Sequence, residues 1–128
     1  AMKPAVLILD EPTAGLDPRG RDEILDEIMT LRKRRKITVI LVSHSMEDIA
    51  KLVDKIAVMH MGKMASCGTP REIFKDYQGL TSMGLGIPQI TELMLKLRKK
   101  GKDVSENVLT VKEARAEILK AIRRKDGA

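Results

Sequence analysis

Residues 6–18 read Val-Leu-Ile-Leu-Asp-Glu-Pro-Thr-Ala-Gly-Leu-Asp-Pro, and no other stretch restricts the possible folds as strongly. Val6 to Leu9 is wholly apolar and partly β-branched. Such a continuous run predicts a buried strand of a parallel sheet rather than a half-exposed antiparallel one. Two adjacent carboxylates, Asp10 and Glu11, stand where the run ends. Burying both without compensation is costly, so a purely decorative surface loop is a poor account of them. The carboxyl end of a buried strand is where an α/β sheet places ligand chemistry. There Asp10 suits Mg²⁺ held through its water shell, and Glu11 suits the polarisation of an attacking water. The pattern points to phosphate chemistry.

Ala1-Met2-Lys3-Pro4 leads in one step before this strand. After it, Asp17-Pro18 has the form of an N-cap followed by proline at the first helical position. Ile24, Leu25, Ile28 and Leu31 then recur at helical spacing, which predicts an amphipathic helix over roughly 18–35. Gly20 in its first turn is a mild weakness. Thr38 to Val42 is a second continuous β-branched run, so strand, helix and strand make a parallel crossover unit. Its end, Ser43-His44-Ser45, lies on the same sheet edge as Asp10 and Glu11. A histidine there is suited to donating to a phosphate oxygen and so sensing whether one is present; a histidine that merely caps the strand is the plainer alternative. Ser45 with Asp48 has the form of a capping box opening a short helix through about Val53.

Residues 55–61 predict a third strand, 61–64 a turn and 65–67 a short return strand. Met59, His60, Met61, Met64 and Cys67 include soft metal ligands, but adjacent strand residues face opposite sides and a shared ion is not expected. Thr69-Pro70-Arg71-Glu72 supplies N-cap, proline at the first position and glutamate at the third, so a helix starts there and runs to about Lys75. Residues 79–86, with glycine and serine, read as a connector. Pro88 opens a helix carrying Ile90, Leu93, Met94 and Leu97 on one stripe and ending near Lys100-Gly101. Thr110 and Glu113 begin a last helix, with Val111, Ala114, Ile118 and Ile122 facing one way.

Composition sets the outer limits. With 128 residues, one domain with a real core is possible. Aromatics make up only 2%, so that core has to be aliphatic, with eight methionines as adaptable filler. A single cysteine, Cys67, excludes an intramolecular disulfide and agrees with a reducing cytoplasm. No apolar run approaches the roughly 20 residues needed to span a bilayer, and no signal peptide is visible, so a soluble chain with peripheral membrane association is expected. The net charge of +6 admits nucleic acid or an anionic membrane face as partners. Much of it is local, in Arg32 to Lys36 at the predicted end of a helix, where cations complement the dipole. No aromatic residues interleave with that cluster to stack bases, so no nucleic-acid partner is expected.

The run at 6–18 resembles the Walker B motif and D-loop of an ABC-type ATPase. The resemblance assigns Asp10 to the metal-associated aspartate, Glu11 to the catalytic glutamate and Asp17 to the D-loop aspartate. Ser43-His44-Ser45 resembles the switch, or H-loop, which makes His44 a γ-phosphate contact. The hairpin and the Gly-Thr-Pro-Arg-Glu-Ile-Phe helix resemble ABC import ATPases. Residues 85–93 and 97–101 resemble the tail of energy-coupling-factor ATPases, which drive uptake of vitamins or of cobalt and nickel. In that family ATP lies between two ATPase subunits, with the D-loop reaching across the interface. The implied fold class is α/β: the C-terminal part of a P-loop NTPase (RecA-like) parallel sheet with flanking helices, followed by a helical extension. The implied division is 1–78 for the ATPase core part and 79–128 for the helical extension.

Three features expected of a complete ATPase of this kind are missing, a Q-loop among them. There is no Gly-x-x-x-x-Gly-Lys-Ser/Thr loop, since Gly15 and Gly20 have the spacing but Arg21-Asp22 follows, and there is no Leu-Ser-Gly-Gly-Gln-like signature. A phosphate-cradling loop supplies most ground-state affinity for ATP. The expectation is therefore an energy subunit of a membrane ABC importer, acting on ATP with Mg²⁺ in the full-length protein, with this part inactive alone. The expected partners are a second ATPase subunit and a transmembrane component at the cytoplasmic face of the membrane. A DNA-associated ABC-type ATPase of the chromosome-structure or repair kind is the competing expectation, and the cargo is not readable.

Overall fold

A computed structural model of the chain describes residues 6–126, so the lead-in Ala1-Met2-Lys3-Pro4 lies outside the described residues. The chain divides into two compact units, Ala1–Leu52 and Val53–Ala128. Among the described residues the strands form two two-stranded sheets, one parallel and one antiparallel. Among the described residues no helix is long and apolar enough to cross a membrane.

In the first unit, β1 (Val6–Asp10) pairs in parallel with β2 (Thr38–Val42), from Val6 opposite Thr38 to Asp10 opposite Val42. Between them runs α1 (Pro18–Arg35). The Asp17 carboxylate accepts the Gly20 N–H at 2.9 Å, as an N-cap does, and Pro18 holds the first helical position. Gly20 is less a weakness than a fit, because a Cβ there would stand 2.8 Å from Asp17 Oδ1. Leu25 is buried, and Ile24, Ile28 and Leu31 flank it half-buried, as the helical spacing predicts. Four cations fill the last turn, where they meet the negative end of the dipole. The sequence predicts strands buried on both faces, but exposure alternates along each. Leu7, Leu9, Val39 and Leu41 are half-buried, whereas Ile8 is 65% exposed and Val6, Ile40 and Val42 share its side. Side chains alternate across a strand, and among the described residues only one side of this pair is covered.

The short α2 (Met46–Leu52) follows β2. Ser45 Oγ accepts the Asp48 N–H at 3.4 Å, half of the expected capping box. The reciprocal half is absent because the Asp48 carboxylate is engaged elsewhere, as described below.

The second unit opens with a hairpin, β3 (Ile56–His60) and β4 (Lys63–Gly68). Met61 and Gly62 connect them with φ of 52° and 75°, the two left-handed positions of a type I′ turn. Thr69 caps α3 (Pro70–Lys75), accepting the Glu72 N–H at 3.3 Å, and Ile73 and Phe74 are buried beneath it. The expected connector at 79–86 is instead partly helical, as α4 (Tyr77–Ser82). Asp76 caps it through the Gly79 N–H at 3.1 Å, and buried Leu80 anchors it, so a local cap and one core contact override the glycine and serine composition.

Two longer helices, α5 (Gln89–Lys99) and α6 (Val111–Asp126), complete the unit. Met94, Val104, Val108 and Ala114 form the buried cluster, with Ile90, Leu97, Ile118 and Ala121 packed around it. Thr91 Oγ1 donates to the Val108 carbonyl at 2.6 Å and ties the intervening loop to α5. Thr110 Oγ1 accepts the Glu113 N–H at 3.2 Å, while Glu113 Oε2 accepts from Leu109 N–H at 3.3 Å, one residue before the cap. Arg71 reaches from α3 to the Asn107 carbonyl at 2.9 Å and to Glu113 Oε1 at 2.7 Å. The expected stripes need correction at their rims: Leu93, Val111 and Ile122 are exposed. The buried side of α6 is narrower, consisting of Ala114, Ile118 and Ala121.

Candidate active site

Because β1 and β2 are parallel and in register, their carboxyl ends emerge at one edge. That edge carries Asp10 as the last residue of β1, Glu11 next to it, and His44 two residues beyond Val42. Asp10 is exposed there. Glu11 adopts a left-handed backbone with φ of 48°. Its N–H continues the ladder to the Val42 carbonyl at 2.8 Å, and its own carbonyl accepts the Ala14 N–H at 3.2 Å, which turns the chain sharply away from the sheet. A non-glycine residue in this region is uncommon, and such conformations gather at functional sites.

The Glu11 carboxylate is aimed at His44. Its Oε1 lies 2.7 Å from His44 Nδ1 and accepts the His44 backbone N–H at 3.1 Å. The imidazole is 86% exposed, so packing does not hold it; the glutamate and the hydrogen bonds of its neighbours do. Asp17 is not part of this contact. It stands at the far end of the loop, with its carboxylate spent on capping α1. Among the described residues no three acidic, histidine or cysteine side chains gather into a cage for a metal ion. Magnesium does not ask for one, since it is commonly held by one or two carboxylates together with water and substrate phosphates. An exposed Asp10 at the sheet edge fits that mode.

A second set of contacts, which no sequence motif marks, centres on Asp48. Asp48 is only 3% exposed. Its Oδ1 receives Arg21 through Nε at 2.8 Å and Nη2 at 2.7 Å, and its Oδ2 receives the Thr13 hydroxyl at 3.0 Å. Arg21 also donates to Ser45 Oγ, and the Ser45 N–H donates to Ser43 Oγ at 3.0 Å. The loop after Glu11, the start of α1 and the start of α2 are thereby joined at one buried carboxylate. One signal was present: α1 has no acid in its first turn, and Arg19 and Arg21 stand near the helix end that disfavours cations. Arg19 is matched by Glu23 on its own helix, whereas Arg21 takes its carboxylate, Asp48, from α2.

Residues 1–48 match the family model described as "AAA domain, putative AbiEii toxin, Type IV TA system". The chain is 54% identical over 125 residues to the energy-coupling factor transporter ATP-binding protein EcfA2 of Clostridium tetani, covering 98% of this chain and 43% of that protein. It is 56% identical to EcfA2 of Clostridioides difficile, over 96% of this chain and 43% of the relative. Among solved structures it resembles cbiO1 of Clostridium perfringens, part of the ABC transporter complex cbiONQ, with a TM-score of 0.54 and 35% identity over 77% of this chain and 35% of that one. The α/β arrangement with a small parallel sheet is thus that of an ABC ATPase. Over nearly its whole length, and over about 43% of theirs, the chain is a homologue of the energy-coupling-factor ABC transporter ATP-binding proteins.

Proposed function

We propose that this chain supplies the water-activating edge of an ATP-hydrolysing energy subunit for a membrane ABC importer of vitamins or of cobalt and nickel. The observation that carries the proposal is the contact between Glu11 and His44, 2.7 Å apart at the carboxyl edge of the parallel pair. In this account Glu11 polarises the attacking water as general base. His44 donates to the γ-phosphate, and its contact with Glu11 keeps the base and the phosphate sensor in one small region. Asp10 would hold Mg²⁺, which would supply charge neutralisation at the phosphate oxygens. Asp17 ends the loop that reaches towards a second ATPase subunit.

The sequence holds no phosphate-cradling Gly-x-x-x-x-Gly-Lys-Ser/Thr loop, so in this reading the chain by itself neither binds ATP usefully nor hydrolyses it. Residues 1–78 form the ATPase core part, and 79–128 form a helical extension that serves assembly or docking. The working protein sits peripherally at the cytoplasmic face of the membrane, against a transmembrane component that ATP-driven closure and reopening moves.

The test is ATP turnover by the full-length protein carrying Glu11→Gln. Glutamine keeps an acceptor oxygen for the His44 N–H but is not a base, so turnover is expected to fall by about 10²–10⁴-fold with ATP binding retained. Turnover within about threefold of the unaltered protein removes Glu11 from the role of general base. Salt-dependent binding of the full-length protein to duplex DNA would favour a DNA-associated ATPase instead.

A further inference from the structure

We propose that Asp48 is a positioning residue for the reaction, fixing the loop that follows Glu11 against the segment that carries His44. The inference rests on the roles given to Glu11 and His44 above, but the observation behind it is separate. His44 is largely solvent-exposed, so apart from its two contacts with Glu11 its place depends on the backbone of 43–45. That backbone is held by Ser45, whose N–H donates to Ser43 Oγ at 3.0 Å and whose hydroxyl accepts from the Asp48 N–H at 3.4 Å and from Arg21. Arg21 in turn is fixed by its paired donation to Asp48 Oδ1. On the other side, Thr13 donates to Asp48 Oδ2 at 3.0 Å. Thr13 lies two residues from Glu11, inside the turn set by the Ala14 N–H to Glu11 carbonyl bond.

One buried carboxylate therefore has an oxygen assigned to each half of the site. No buried side-chain polar atom among the described residues is left without a partner, so the network is complete and has a defined geometry. Arginine suits this place because its planar fork addresses Asp48 and Ser45 together, which a lysine ammonium does less well. Both oxygens of the carboxylate are taken up by Thr13 and Arg21, and the residue is only 3% exposed. Its effect passes through the separation of Glu11 from His44.

Two measurements test this. In the full-length protein, Thr13→Val and Asp48→Asn are each expected to lower kcat by about ten- to a hundredfold, the scale set by an ångström-sized misplacement. KM for ATP is expected to stay within about twofold, because neither side chain binds nucleotide. The double variant should lose little more than the worse single one, since both break the same tie. Arg21→Lys should retain more activity than Arg21→Met. In the chain itself, the ¹⁵N resonances of the His44 ring are expected to move in Thr13→Val, which leaves the Arg21–Asp48 pair intact and so spares the fold. An unmoved His44 signal, or a loss of kcat that only mirrors the fraction unfolded, overturns the proposal. If the unaltered full-length protein fails to hydrolyse ATP, the functional reading falls, while the His44 signal still decides whether Asp48 sets its position.

Discussion

Replacing Met94 by alanine probes the core that holds α5 and α6 together. Met94 is 0% exposed and touches the cluster of Val104, Val108 and Ala114. The change removes three heavy atoms. At roughly 0.8 kcal/mol for each buried methylene-sized group, the transfer part of the loss is about 2 kcal/mol. The hole is not easily refilled, because Ala114 and Ala121 on the α6 side have no side chain to extend, leaving Ile90, Leu97 and Ile118 to relax. The cavity therefore adds to the cost, and a total of about 3–4 kcal/mol is expected, inside the range of about 2–5 kcal/mol for Met→Ala in cores. For a unit of this size each kcal/mol moves the melting point by about 4–8 °C, so the shift is about 12 °C or more. Urea unfolding followed by far-ultraviolet circular dichroism measures the free-energy loss and a thermal scan the shift, with Leu93→Ala as the control. Leu93 is on the same helix but 44% exposed, so its replacement should cost clearly less. A cost for Met94→Ala under about 1 kcal/mol, or no larger than that of Leu93→Ala, would refute a tightly packed core at Met94.

Two further substitutions isolate single hydrogen bonds. Thr91→Val keeps the shape of a buried side chain but removes the donor to the Val108 carbonyl, and is expected to lower unfolding stability by about 1–3 kcal/mol in the same titration. Asp17→Ala removes the α1 cap and should cost the chain about 1 kcal/mol, whereas Asp17→Asn, which keeps the acceptor oxygen, should be nearly neutral. If the Asp17 charge acts across a subunit interface, both variants lower ATP turnover of the full-length protein, and the difference between the two assays separates cap from charge.

Local signals in the sequence located most elements. Asp17-Pro18 and Thr69-Pro70 each mark a helix start that the structure capped in the expected way, because a cap depends on residues within one turn. The two β-branched runs gave the parallel pair, and with it the shared edge of Asp10, Glu11 and His44. What local pattern does not encode is where a neighbour stops. Periodicity identified a stripe on α6 but not that Val111 and Ile122 lie beyond the reach of α5. Composition suggested a connector at 79–86, where one cap and the buried Leu80 make a helix. The Asp48 network joins residues as far apart as Thr13 and Asp48, and only the unfavourable position of Arg21 on its helix hinted at it.

The left-handed backbone at Glu11 bears on how any replacement there is to be interpreted. A side chain at such a position is held against its own steric preference, and the bonds it makes are part of what keeps the main chain in that shape. The Glu11→Gln variant would retain an oxygen for the His44 amide and so report mainly on lost proton chemistry. An alanine scan releases the restraint as well, letting the following turn drift, and its larger deficit would mix geometry with catalysis. Of the two, only the amide substitution yields a number that belongs to the carboxylate.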